Sequence, residues 1–165
     1  RGGAAEAGAR RGMLLPSTAA AGGRGADGAG SGARLAAAKP GGGPLEAKDG
    51  PGRLQDIDLF AQMGALRAAS PARRTEAQLA AARRAGLIAP HEEATLAAAW
   101  RAMWRVQAAM RLLDDRSTDP DRLGDGARGF LLRETGAEGL AALCEGLGRQ
   151  ARLAATIIAR HLTSG

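Results

Sequence analysis

Apolar side chains recur at helical spacing along most of this chain, and that periodicity limits the folds open to it. The clearest stripe lies between residues 90 and 114, where large side chains follow one another at intervals of four and three: Leu96, Trp100, Met103, Gln107, Met110. Such spacing places them on one face of an α-helix. We therefore expect this helix, with Trp100 and Trp104, to form the centre of a helical core.

Composition supports the same conclusion. Aromatic residues make up 2% of the chain and valine is nearly absent, whereas alanine and leucine are abundant. A core of alanine and leucine favours helices over sheets. Further amphipathic segments occupy residues 55–69, 75–85, 126–135 and 140–162. Five helical segments with short connections predict an all-α fold, an antiparallel helical bundle.

The first 44 residues differ from the rest. They hold 13 of the 25 glycines and few large apolar side chains, so they cannot bury enough surface to offset the entropy of ordering. We predict a largely disordered Gly/Ala/Arg-rich segment at 1–44, a glycine turn at 45–54 and a helical bundle domain at 55–165. The Arg-Gly pairs in the first segment lack interleaved aromatics, so a linker explains them more simply than RNA binding does.

Several local signals predict helix ends. Thr75 and Gln78 have the spacing of a capping box at the start of the second helix. Gly86 suits the position after that helix ends, and Pro90 suits the first position of the next.

Other features exclude functional classes. Cys144 is the single cysteine, which leaves no internal disulfide and no cysteine metal site and fits a cytoplasmic origin. We expect Cys144 to act as a small buried hydrophobe. No run of 18 apolar residues occurs, so no membrane span is predicted. The chain begins at Arg1 rather than at a methionine, and we expect it to be part of a longer protein.

One motif carries functional information. The stretch from Lys48 to Gln62 reads KDGPGRLQDIDLFAQ. It resembles the glycine-turn motif of bacterial glutamine-synthetase adenylyltransferases, and the matching positions are Lys48, Gly52, Leu54, Asp56, Ile57 and Gln62. Arg53 replaces a glycine of the family pattern, and Asp58-Leu59 replaces Glu-Phe. A related uridylyltransferase family shares the glycine turn, but the Asp-Ile-Asp segment and the following glutamine favour the adenylyltransferases.

The resemblance implies a role. In that family the motif joins a nucleotidyltransferase domain to a helical domain, so this chain is expected to be the C-terminal helical portion. The complete enzyme would transfer AMP from ATP to a tyrosine of glutamine synthetase, and reverse the transfer, under control of a PII signalling protein. ATP and Mg²⁺ would serve the complete enzyme, with no cofactor expected for this portion alone. The family's other metal-binding carboxylates come from a Gly-Ser turn followed by an Asp-x-Asp pair, and that unit is missing here: Gly30-Ser31 has no such pair after it, and Asp119-Pro120-Asp121 lies in a turn interrupted by proline.

The resemblance places Asp56 and Asp58 in the segment that supplies a third carboxylate, as catalytic and metal-binding candidates. In an extended chain both side chains point to one face and approach one ion. In a helix they diverge by about 200° and cannot. Lys48 is a candidate for phosphate contact by resemblance, and a solvated loop lysine on the residues alone.

A second function class stays open. The chain has a net charge of +6, and Arg101, Arg105 and Arg111 lie off the centre of the apolar stripe. These arginines fit a solvated helix face, and the alternative is a basic helical module that binds nucleic acid or protein without catalysis. The spacing of Trp100 and Trp104 indicates a core or an inter-domain contact rather than a base-stacking platform.

Overall fold

The computed structural model describes residues 42–113 and 118–163. They form five α-helices: α1 (Leu54–Arg67), α2 (Thr75–Arg84), α3 (Pro90–Leu112), α4 (Asp125–Thr135) and α5 (Leu140–Thr163). A 3₁₀ turn, Pro120–Arg122, precedes α4. This part of the chain contains no strand, so the all-α prediction is confirmed. The prediction of disorder falls almost wholly on residues 1–41, which lie outside the described residues.

The helices run in two directions. Arg83 at the end of α2 pairs with Glu93 at the start of α3, and Glu76 at the start of α2 pairs with Arg101 further along α3, so these helices are antiparallel. Glu92 at the start of α3 meets His161 at the end of α5, which makes this pair antiparallel too.

Helix α1 runs in the same direction as α2 and α5. Asp58 bonds to Thr75 at the start of α2, and Gly64 packs closely on Ala82 further along it. In the same way the turn before α1 touches the middle of α5, and Phe60 then lies against His161 near the end of α5. The connection between α1 and α2 must therefore return along the bundle.

The core lies around α3, as the periodicity predicts. Leu96, Met103 and Val106 are fully buried, together with Ile57, Leu79 and Leu131 from α1, α2 and α4. Trp100 packs against the edge of this core. Trp104 does not join it: 53% of its surface is exposed. Of the two interpretations of this pair, a core position holds for Trp100, and a contact of Trp104 with another domain stays a prediction. Four residues along the helix rotate the Trp104 side chain by about 40° from that of Trp100, away from the core.

The helix ends confirm two of the three local signals. Gly86 has φ of 72°, the left-handed conformation that glycine adopts at low cost, and Pro90 begins α3. The capping box at Thr75 is wrong. Thr75 is already helical and its hydroxyl donates to Asp58, while the Gln78 amide donates to the carbonyl of Ala72. A partner on another helix has replaced the local cap.

Residues 43–48 pack against the rest of the bundle before α1 begins. Leu45 and Ala47 are buried, and the Leu45 amide donates to the carbonyl of Thr118 at 3.0 Å. Among the described residues, none of the helices has the length and apolarity needed to cross a membrane.

Candidate functional site

The glycine turn is built on two left-handed residues. Gly50 has φ of 126° and Gly52 has φ of 67°. Arg53, which replaces a glycine of the family pattern, has φ of −94°, an ordinary value for any residue. Arg53 therefore causes no backbone strain, and the turn closes through a hydrogen bond of 3.1 Å from the Arg53 amide to the Gly50 carbonyl.

Gly52 also makes the closest approach in the site. A Cβ added there would lie 2.0 Å from the carbonyl oxygen of Ala151 and 2.5 Å from the nitrogen of Ala155. The turn thus rests directly on the backbone of α5, and no side chain fits between them. Positive φ and close contact together explain why this position requires glycine.

Backbone carbonyls that precede the turn accept hydrogen bonds from the first amides of α1. The amide of Leu54 donates to the carbonyl of Ala47, and that of Gln55 donates to the carbonyl of Lys48, each at 3.1 Å. Helix N-termini bind phosphates through free amides, and these two amides already have partners. Lys48 is exposed, which fits a solvated loop lysine. Its contact with a phosphate stays a prediction.

Asp56 and Asp58 both lie within α1, which begins at Leu54, so the helical alternative applies and their side chains diverge. One oxygen of Asp56 accepts from the Gly52 amide at 2.7 Å, which fixes the turn. One oxygen of Asp58 accepts from the Thr75 hydroxyl at 2.7 Å and from the Trp100 indole nitrogen at 2.8 Å. The two carboxylates serve different contacts on different sides of the helix.

This arrangement does not fit a shared Mg²⁺ ion. Magnesium takes octahedral oxygen coordination, and protein sites supply it through carboxylates that converge. In the part of the chain that the structure describes, no group of three or more His, Cys, Asp or Glu side chains is placed to hold a metal ion. The catalytic and metal-binding roles of Asp56 and Asp58 in a complete enzyme stay predictions.

A second polar cluster was not predicted. The Glu92 side chain is only 5% exposed, and its carboxylate accepts from the Ala89 amide at 2.7 Å. It also contacts the Nε2 of His161 and the guanidinium of Arg160, both at 3.1 Å. Burial raises the pKa of Glu92, but the hydrogen bonds from Ala89 and His161, with the charges of His161 and Arg160, outweigh it and leave the pKa lowered.

The sequence signal for this cluster was weak. Glu92 follows Pro90 at a helix start, where a carboxylate is favourable on local grounds alone. His161 lies 69 residues away, and no spacing rule connects the two.

Two further side chains, one in the turn and one in the bundle, have shifted pKa values. Burial lowers the pKa of Arg53, partly offset by the charge of Glu46, and its Nη1 is buried without a hydrogen-bond partner. Cys144 is half-buried against the core. Burial, with the charge of Asp121, raises the pKa of its thiol.

The described residues thus form an all-α helical domain whose glycine turn rests on the backbone of α5. Residues 44–163 match the sequence model of the family described as GlnD PII-uridylyltransferase. The match covers most of the chain, and the chain belongs to this family.

A curated relative gives a second comparison. Over 80 residues, the chain is 42% identical to the bifunctional glutamine synthetase adenylyltransferase/adenylyl-removing enzyme of Streptomyces coelicolor. The alignment spans 46% of this chain and 8% of that enzyme, so the chain corresponds to a small part of its relative. No solved structure matches the chain.

Proposed function

We propose that this chain is the helical portion of a nucleotidyltransferase that modifies glutamine synthetase. The complete enzyme transfers AMP from ATP to a tyrosine of glutamine synthetase and removes it again, in the cytoplasm and under control of a PII protein. The observation that carries the proposal is the 42% identity with the bifunctional enzyme of Streptomyces coelicolor. The Asp-Ile-Asp segment after the glycine turn favours the same assignment.

The geometry defines what this portion contributes. Gly52 fixes the chain entering α1 against the backbone of α5, and Asp56 locks the turn through the Gly52 amide. A chain that enters through such a turn has little freedom of direction, so residues 43–53 meet the bundle at a defined angle. Positioning of this kind is a large part of phosphoryl-type transfer, where reacting groups must be aligned. We assign this chain that scaffolding role, with ATP and Mg²⁺ bound by carboxylates elsewhere in the enzyme.

The test uses the full-length protein encoded by the gene. It is mixed with ATP, Mg²⁺ and glutamine synthetase, and AMP-tyrosine is sought by mass spectrometry. The 165-residue chain alone is the control, and we expect it to form no product because the described residues supply no converging carboxylates. Product from the full-length protein and none from the chain supports the proposal. Product from the chain alone would refute the scaffolding role.

A second candidate is uridylyl transfer to a PII protein, which the description of the matching family favours. The two candidates differ in nucleotide and in acceptor. A parallel reaction therefore replaces ATP with UTP and glutamine synthetase with PII. Modified PII without modified glutamine synthetase would select the uridylyltransferase. If neither protein is modified while the chain retains labelled RNA, the basic binding module would replace both.

A further inference from the structure

Asp58 is the polar junction of three helices. A single oxygen, Oδ1, accepts from the Thr75 hydroxyl of α2 and from the Trp100 indole of α3, both within 2.8 Å. The residue is half-buried, and the contacts reach 17 and 42 residues along the chain. Hydrogen bonds to an ionised acceptor are about twice as strong as neutral ones, so this oxygen is firmly held.

The indole bound by Asp58 supports a second indole. The rings of Trp100 and Trp104 lie with centroids 6.4 Å apart and planes 26° from parallel. Trp100 packs on the core, whereas about half of the surface of Trp104 is exposed. Because Trp100 has its nitrogen fixed by Asp58, the orientation of the outer ring depends on the same carboxylate.

A metal ion would compete with these contacts. Coordination through Oδ1 would leave the Trp100 nitrogen and the Thr75 hydroxyl without their acceptor, at the cost of an unsatisfied donor. Asp56 cannot share such an ion, since it points elsewhere and is bonded to Gly52. Only the second oxygen of Asp58 would then remain for a metal ion, and in the described part of the chain no group of three or more His, Cys, Asp or Glu side chains could hold the ion there.

We infer that Asp58 is a positioning residue that fixes the Trp100–Trp104 pair at the surface of the bundle, and that it does not bind Mg²⁺. The inference concerns contacts within the chain and does not depend on which protein the complete enzyme modifies. It predicts that an acceptor oxygen is needed at position 58, whereas a negative charge is not.

The test compares Asp58→Asn, which keeps an acceptor oxygen, with Asp58→Ala, which has none. Trp100 and Trp104 are the only tryptophans of the chain, so a circular dichroism couplet from stacked indoles reports on this pair alone. Trp104→Phe serves as control, because it removes the couplet without touching Asp58. We expect the couplet to persist in Asp58→Asn and to be lost in Asp58→Ala.

The free energy of unfolding tests the same inference independently. Removing the acceptor leaves two donors unpaired, and the unfolding equilibrium constant should rise on the order of tenfold or more in Asp58→Ala. Asp58→Asn should retain much of this stability. Thr75→Val removes one donor, and its cost should persist when Asp58→Asn is already present, because the amide oxygen still accepts from the Thr75 hydroxyl. This pair keeps the inference testable even if Asp58→Ala does not fold.

The response of the chain to Mg²⁺ can contradict the inference. We expect excess Mg²⁺ to leave the couplet and the melting midpoint unchanged in the chain and in Asp58→Asn alike. A Mg²⁺-dependent rise in midpoint that Asp58→Asn abolishes would overturn the inference. So would a couplet that survives in Asp58→Ala.

Discussion

Replacing Gly52 with alanine should destabilise the bundle more than any other single-methyl addition at a left-handed glycine of the described chain. The new Cβ would lie 2.0 Å from the Ala151 oxygen, whereas real Cβ atoms essentially never come within 3.0 Å of such an atom. Relief therefore needs a shift of about 1 Å between the turn and the backbone of α5. Neither partner is a flexible side chain, so the shift must move a helix.

The magnitude follows from two costs. Holding alanine at a φ of 67° costs about 1–2 kcal/mol, because a Cβ is unfavourable in the left-handed region. Forcing a methyl group into a packed contact costs typically about 1–3 kcal/mol more. The sum, roughly 2–5 kcal/mol, is a large share of the ~5–15 kcal/mol that holds a domain together. We expect the melting midpoint to fall by roughly 10 °C or more.

Two other glycines separate these costs. Gly86 and Gly136 have φ of 72° and 69°, and a Cβ at either would meet nothing within 4 Å. Gly86→Ala and Gly136→Ala therefore carry the backbone cost alone. Urea unfolding followed by tryptophan fluorescence gives the free energy of unfolding for each variant. If Gly52→Ala loses no more than these two controls, the close contact with α5 is not present and the reasoning fails.

Three further outcomes are expected. Gly146→Ala, within α5 and in open space, should raise the free energy of unfolding by about 0.5–1 kcal/mol, measured by urea titration. The native contacts lower the pKa of Glu92 from its ordinary 4.5. The stability that these contacts contribute is therefore present above pH 4.5 and is lost as the pH falls through the lowered pKa of the folded state. Glu92→Gln should cost about 1–3 kcal/mol near neutral pH and flatten this acid dependence in melts at several pH values. In the same unfolding assay, Trp100→Ala should lower the free energy of unfolding by roughly 2–4 kcal/mol. Trp104→Ala should change it by no more than about 1 kcal/mol, because half of the Trp104 surface is already in solvent.

The helices could be predicted because their signals are local. Apolar spacing, Gly86 and Pro90 each act within a few residues, and the predicted segments agree with α1–α5 to within about two residues. Helix α5 also continues through Gly146 and Gly148 without interruption. Its apolar face, buried at Leu147 and Ile158, outweighs the weak helix propensity of glycine.

The polar contacts could not be predicted, because each joins distant residues. Thr75 illustrates the difference: its spacing to Gln78 indicates a cap, yet a carboxylate 17 residues earlier offers a stronger, charged acceptor. In the same way Glu92 finds His161 only once α3 and α5 are packed antiparallel. Helix direction, which a periodic pattern does not contain, decides which polar groups meet.

In the glycine motif, the residues shape the turn, and this structural role is distinct from catalysis. Gly50 and Gly52 adopt conformations that other residues resist, while Arg53 shows that the third position of the turn does not require glycine. Asp56, the acidic residue that follows, is bonded to the turn it helps to form. A match to this motif is therefore direct support for a way of joining a helical bundle to the chain that enters it. Catalysis needs further residues, and for that reason the proposed transfer is assigned to the complete enzyme and not to this bundle.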